Sequence, residues 1–209
     1  MVVNKKRSVY TMKRILICLF SLLVIANICF AKEISNADDQ KIETKKVSVA
    51  LLYVNNSKTT YDDELNKKMM ENFDSLLKNY NVIPGGRYVE LLNKTGIADI
   101  ATAERTDIIE AFKGEDIDYV LFAELQPFVR KERITFFSYG IDMTGIVPIK
   151  IIDLKNNKYL YNGKFTEFAS ASTMMGSIGN KSVSLSALDK VIEKMNAVIK
   201  VRLPITSEG

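Results

Sequence analysis

Three groupings in this 209-residue sequence hold residue types that do chemistry. "GSIGNKS", Gly176 to Ser182, has the glycines, lysine and hydroxyl of a phosphate-binding loop. Such a loop needs glycine directly before the lysine so that the backbone can curl around the phosphates, and Asn180 stands there instead. The stretch is therefore expected to be a plain loop and helix start. Asp62, Asp63 and Glu64 form one carboxylate cluster, and Glu115, Asp116 and Asp118 form another. A carboxylate pair held about 5–9.5 Å apart in a cleft can cleave a glycosidic bond, and carboxylates also hold divalent ions. The first cluster opens a helical pattern, where acids favour the helix dipole, and the second lies in a turn before a strand. Both are read as structural.

Composition removes most other chemistries. The chain has no His and no Trp, and its two cysteines, Cys18 and Cys29, both precede residue 32. Ordinary zinc, copper and haem sites lose their ligands, and the Ser-His and Cys-His nucleophile pairs lose their base. No disulfide framework can form beyond residue 31. The expectation is a protein that is not an enzyme, with no catalytic residue, no cofactor and no metal.

The first 31 residues read as a targeting segment. Lys5, Lys6, Arg7, Lys13 and Arg14 precede an apolar run from Ile15 to Ala26, and no acidic residue comes before Glu33. A basic flank, a short apolar core and a small-residue exit make a secretory signal peptide, with cleavage expected after Ala31. Met12 is an alternative true start. A membrane-spanning helix wants about 20 apolar residues, and Asn27 interrupts this run, although an inner-membrane anchor retained by failed cleavage is the alternative. Lipidation at Cys29 needs a small residue before it, and Ile28 fills that position. Five of the 29 Lys and Arg lie in the leader, leaving 24 against 25 acidic residues. The apparent basicity is a targeting feature, so nucleic-acid binding has no electrostatic support. The expected location is the periplasm or the extracellular space.

Residues 32–45 are polar, without a period, and read as a flexible linker. "KVSVALLYV", Lys46 to Val54, suits an interior strand. Thr60 and Asp63 resemble a capping box before a helix whose apolar stripe includes Leu65, Met69, Phe73, Leu76 and Leu77. A short strand at Val82 and Ile83 runs into the Pro84-Gly85-Gly86 turn, followed by helices over about 87–93 and 103–112. "DIDYVLFAELQPFV" is a second buried strand. "IVPIKIIDLKNNKYLYNGKFTEFA" predicts a hairpin turning at Lys155-Asn156-Asn157, with Pro148 at an edge or bulge. A last helix is expected over about 183–199, and "KVRLPI" is expected to add a final strand. Residues 46–203 should therefore form one α/β domain, in two or three layers, with residues 204–209 as a tail. Helices would pack on a mixed sheet of about five strands in the order β-α-β-α-α-β-β-β-α.

Three stretches carry a family resemblance. "VSVALLYV", "NYNVIPGGRYVELL", and "DIDYVLFAEL" with "IKIIDLKNNKYLYNGKF" resemble a family of bacterial envelope domains. The family includes the periplasmic domain of curli secretion channels, the amino-terminal domain of TolB and the outer-membrane activators of penicillin-binding proteins. The resemblance implies a non-catalytic scaffold, channel subunit or partner-binding module. Many members are lipoproteins, and this sequence departs from them in lacking a lipidation site.

"RKERITFFSYG", Arg130 to Gly140, brackets Phe136, Phe137 and Tyr139 with charge in a segment that should project between strands. Exposed aromatics with Arg nearby are favoured at interfaces, and the alternative is a strand that continues into the core. Phe136, Phe137, Tyr139 and Arg133 are the candidate interaction patch. The expected partner is an envelope protein or a second copy of the chain, and the membrane is engaged only through an uncleaved leader. Two competing functions stay open: a small-ligand-binding envelope protein, which needs a concave apolar site, and a carboxylate-dependent hydrolase of cell-wall glycans.

Overall fold

The computed structural model describes residues 46–205 apart from 95, 98 and 99. The leader, its expected cleavage site, the linker and the end of the tail lie outside these residues. The apolar run predicted as an interior strand is one. β1 (Ser48–Asn55) lies between β2 (Asn81–Pro84) and β3 (Tyr119–Leu125), parallel to both. β3 pairs antiparallel with the C-terminal part of β5 (Tyr139–Asp153), and β5 pairs along its length with β6 (Lys158–Thr173). β4 (Val129–Ile134) takes up the same edge of β5 closer to its start, from Thr144 to Tyr139. The β3 ladder on β5 ends at Ala123–Ile149, one position short of Pro148, which lacks the N–H to extend it.

Alternation along the strands sends side chains to two faces. On one, Leu121, Ala123, Ile149 and Ile151 pack against α1 (Asp62–Leu76) and α4 (Asn180–Arg202). On the other, Leu52, Val120, Phe122 and Ile152 pack against α2 (Gly86–Lys94) and α3 (Arg105–Ala111), where the Tyr88 and Phe112 rings stack. The body of the domain is thus three layers deep. Beyond the end of β3 the sheet continues as β4, β5 and β6 alone, and there Ile141, Met143 and Ala169 are covered from one side by Val183 and Ala187 of α4. This extension has two layers. Gly145 lies beneath α4 because a Cβ there would meet Phe128 at 3.2 Å and Val191 at 3.6 Å.

The mixed α/β architecture matches the sequence expectation, with four differences of detail. The sheet has six strands, because part of the charged stretch at 130–140 forms β4. No final strand forms from "KVRLPI"; α4 runs on to Arg202, and Leu203 is buried at its end. The expected box of Thr60 and Asp63 does not cap α1, whose N-cap is Tyr61 with no side-chain cap bond. Asp62 instead accepts from Ser57 Oγ at 2.5 Å, Thr59 Oγ1 at 2.7 Å and Thr59 N–H at 2.9 Å. On the stripe of α1, Leu77 is fully buried whereas Leu76 is partly exposed, since Leu65, Met69, Phe73 and Leu77 share the i,i+4 row.

Candidate functional site

The two carboxylate clusters lie at opposite ends of β1. Asp118 Oδ2 accepts from the Ser48 N–H at the start of the strand, at 2.8 Å, and Asp62 follows its end at Asn55. Eight residues at about 3.3 Å each separate the clusters by more than 20 Å, so they form no common cleft. Within them, Asp62 ties down the loop before α1, Glu64 pairs with Lys181 of α4, and Glu115 pairs with Arg87. Hydrogen bonds from Ser57 and Thr59 hold the Asp62 carboxyl below its ordinary value. Among the described residues, no group of three His, Cys, Asp or Glu is placed to hold a metal ion.

"GSIGNKS" leads from β6 into α4, and its lysine is turned towards Glu64. Ser182 Oγ donates to the Gly179 carbonyl at 3.0 Å, a local turn contact.

Two clefts among the described residues bear on the site. One, of about 460 Å³, lies between the C-terminal ends of α1 and α4 and includes Asn72, Lys78, Asn196 and Lys200 in its wall. The other, of about 500 Å³, is lined by Thr102, Arg105, Thr106, Lys150, Tyr159 and Asn162. The buried Lys150 ammonium donates there to the Ala101 carbonyl at 2.5 Å and to the Ala103 carbonyl at 2.6 Å. Burial raises the Tyr159 phenol, and the Arg105 guanidinium facing its ring opposes that rise. A lysine in the "IKIID" strand gave no sequence signal, because its use depends on carbonyls 47 and 49 residues away. Glu124 is also buried. Its Oε1 accepts from Asn56 Nδ2 at 2.7 Å, and its Oε2 has no hydrogen-bond partner among the described residues. The second cleft is largely polar in lining, and the first is mixed, with Leu76, Tyr80, Ile199 and Ile205 beside its polar groups.

The far end of the sheet extension is apolar and open. Ile134, Tyr139 and Thr173 lie side by side across β4, β5 and β6. The turn from β4 to β5 therefore neighbours the loop from β6 to α4. In the turn, Phe136 is 93 % exposed and Phe137 77 %, their rings edge to face at 5.0 Å between centroids. In the loop, Met174 is 83 % exposed and Met175 87 %, and Ile134 beside them is 76 % exposed. Thr135 and Ser138 close the turn: the Thr135 N–H donates to the Ser138 carbonyl at 2.8 Å, and the Ser138 N–H donates to Thr135 Oγ1 at 3.0 Å.

Below this tip, one face of the extension is uncovered. Val129, Thr144 and Phe168 align across the strands, as do Lys131, Asp142 and Ser170. Val129, Lys131, Arg133, Phe168 and Ser170 are exposed. Arg133 Nε donates to Asp142 Oδ1 at 3.0 Å, and its guanidinium lies over Gly140. Tyr139 behaves differently from the two phenylalanines. It is half-buried on the α4 side, and its hydroxyl accepts from Arg130 Nη2 at 2.6 Å. Arg130 also donates from Nε to Asn180 Oδ1 at 3.2 Å, joining β4, β5 and the start of α4. Of the four patch residues read from sequence, Phe136 and Phe137 form the tip, Arg133 lies on the open face, and Tyr139 on the covered one. The sequence reading missed Met174 and Met175, whose place beside the phenylalanines follows only from strand pairing.

No family model and no curated protein sequence matches the chain. Its fold is similar to those of several solved structures. Lipoprotein GNA1162 from Neisseria meningitidis is 16% identical, with 71% of this chain and 99% of that one covered at a TM-score of 0.37. Hypothetical protein CT253 from Chlamydia trachomatis is 16% identical, covering 75% and 97% at a TM-score of 0.44. The LpoB C-terminal domain from Escherichia coli is 11% identical, covering 59% and 84% at a TM-score of 0.31. These likenesses are distant.

Proposed function

We propose that this chain is a non-catalytic, exported accessory module of the bacterial cell envelope that acts by contact, through the far end of its β4–β5–β6 extension. The observation that carries this reading is the concentration of exposed apolar side chains there, at Ile134, Phe136, Phe137, Met174 and Met175, with Val129 and Phe168 on the adjoining open face. Exposed clusters of this kind on a folded domain mark interaction sites, and aromatics and methionines are enriched at interfaces. The leader sequence supports export, and the resemblance of the strand motifs to envelope domains supports a scaffold or assembly role. The proposed protein partner is another envelope protein or a second copy of the chain, bound across the open face where Lys131, Arg133 and Asp142 supply charge. No helix among the described residues is long and apolar enough to cross a membrane, and the proposed location is the periplasm or cell surface.

A photo-crosslinking residue placed at Phe136 or Phe168 in cells that express the protein tests this. Adducts with envelope components are expected from one or both positions, and none from Leu91, which is exposed on α2. Equal, low labelling at all three positions would overturn the reading.

A further inference from the structure

We infer that the tip formed by residues 134–139 and 173–180 inserts into the interfacial layer of an anionic lipid bilayer, leaving the open sheet face for protein. This rests on the contact reading above and names what the tip itself meets. Three observations carry it. Neither segment, "ITFFSY" or "TMMGSIGN", contains a charged residue, so nothing in them must be neutralised on leaving water. The five large apolar side chains stand out from the end of the sheet, and Phe136 and Phe137 touch edge to face. A convex apolar point with hydroxyls at Thr135, Ser138, Thr173 and Ser177 suits a fluid headgroup boundary, which needs apolar area but no matching groove.

The third observation is the collar. Arg133 on β4 and Lys181 on α4 are the first charges behind the tip on their elements, with Arg130 and Lys131 just below. Glu132, Asp142 and Glu64 are ion-paired with Arg130, Arg133 and Lys181, so with Lys131 the collar keeps one net positive charge. Cations set just behind an apolar tip lie at the level of lipid phosphates, which can draw them from their acidic partners, and the net positive charge adds attraction to an anionic surface. Long Lys and Arg stems reach that level while their heads stay in water. Two charge-free apolar loops at one end with cations behind them form an arrangement that a bilayer recognises by chemistry alone.

The absence of Trp from the chain makes the test direct. Phe137→Trp introduces a single emitter at the tip, and Val201→Trp introduces one on an exposed site near the other end of α4. Both are read in the full chain, so the apolar leader is present in each. With vesicles of phosphatidylglycerol and phosphatidylethanolamine, the tip emission should shift to the blue and be quenched by brominated acyl chains, and the Val201→Trp emission should do neither. Pure phosphatidylcholine vesicles or high salt should weaken the shift, because screening shortens the reach of the collar. Adding Phe136→Ser, Met174→Ser and Met175→Ser to the tip emitter should abolish it, with an unchanged circular dichroism spectrum. An unshifted, unquenched tip emission on anionic vesicles overturns the inference, as does an equal response at both positions. If the tip ignores lipid while crosslinks from position 136 trap a protein, the inference falls and the contact reading stands.

Discussion

Asp62 carries a large structural load for one half-buried carboxylate. It accepts from Ser57 and twice from Thr59, closing the loop between β1 and α1. Its folded pKa lies below the ordinary 3.8, through those hydrogen bonds. A depressed carboxylate stabilises the fold above its unfolded pKa, and that stability is lost as the pH falls through the folded value. Asp62→Ala should therefore cost about 1 kcal/mol near neutrality, the usual net worth of such hydrogen bonds, and the difference from wild type should shrink once the pH drops below about 4. Urea titrations at pH 7, 5 and 3 check this; a difference that grows on acidification would refute it. Gly85 is constrained in another way. A Cβ there would lie 2.4 Å from the Leu51 carbonyl oxygen and 2.7 Å from Leu52 Cδ1, whereas at Gly86 nothing lies within 4 Å. Gly85→Ala should cost about 1–3 kcal/mol and Gly86→Ala almost nothing, read as denaturant midpoints. Phe136→Ala with Phe137→Ala should leave stability within about 0.5 kcal/mol, as expected for exposed side chains, and a cooperative melt near the wild-type midpoint is the check.

At the scale of elements, helix α1 was readable and strand β4 was not. Leu65, Met69 and Phe73 recur at i,i+4, and all three are buried. Leu77 continues that i,i+4 row and is buried, whereas Leu76 lies one position off it and is only partly buried. Leu77→Ala should cost about 2–4 kcal/mol and Leu76→Ala clearly less, with Val191→Ala between them. Equal losses at 76 and 77 would mean the face is misassigned. β4 has no apolar alternation because none of its six residues is buried. Backbone pairing to β5 holds it, helped by Arg130 and by Arg133 bonded to Asp142. Charged side chains along such an edge also discourage pairing with another chain. A strand stabilised this way leaves almost no trace in hydropathy.

For the molecule as a whole, the change from three layers to two sets a gradient of stability. β1, β3 and the C-terminal half of β5 are covered on both faces, whereas β4 and the tip are exposed. Amide hydrogen exchange should follow that gradient, slowest in β3 and fastest in β4 and residues 135–138. Protection in β4 equal to that in β3 would contradict it. The leader belongs to this scale too: the exported protein should have an intact mass that begins at Lys32, and a mass retaining residues 12–31 or a lipid on Cys29 would refute cleavage after Ala31.

What the amino-acid sequence by itself determined was class, order and exclusion. Periodicity marks which stretches bury a face, so the β1 and β3 runs, the α1 and α4 stripes and the turn before Lys158 were all legible, as was the loss of His and Cys chemistry after residue 31. Tertiary structure alone decided which distant segments meet. The burial of Lys150 beneath Ala101 and Ala103, the Asn56 contact of Glu124, and the pairing of Tyr139 with Thr173 that sets the Phe136–Phe137 turn next to the Met174–Met175 loop depend on partners 34 to 68 residues apart. Local sequence records the preference of each segment for burial or turn. Strand register, a property of the assembled sheet, decides which of those segments become neighbours.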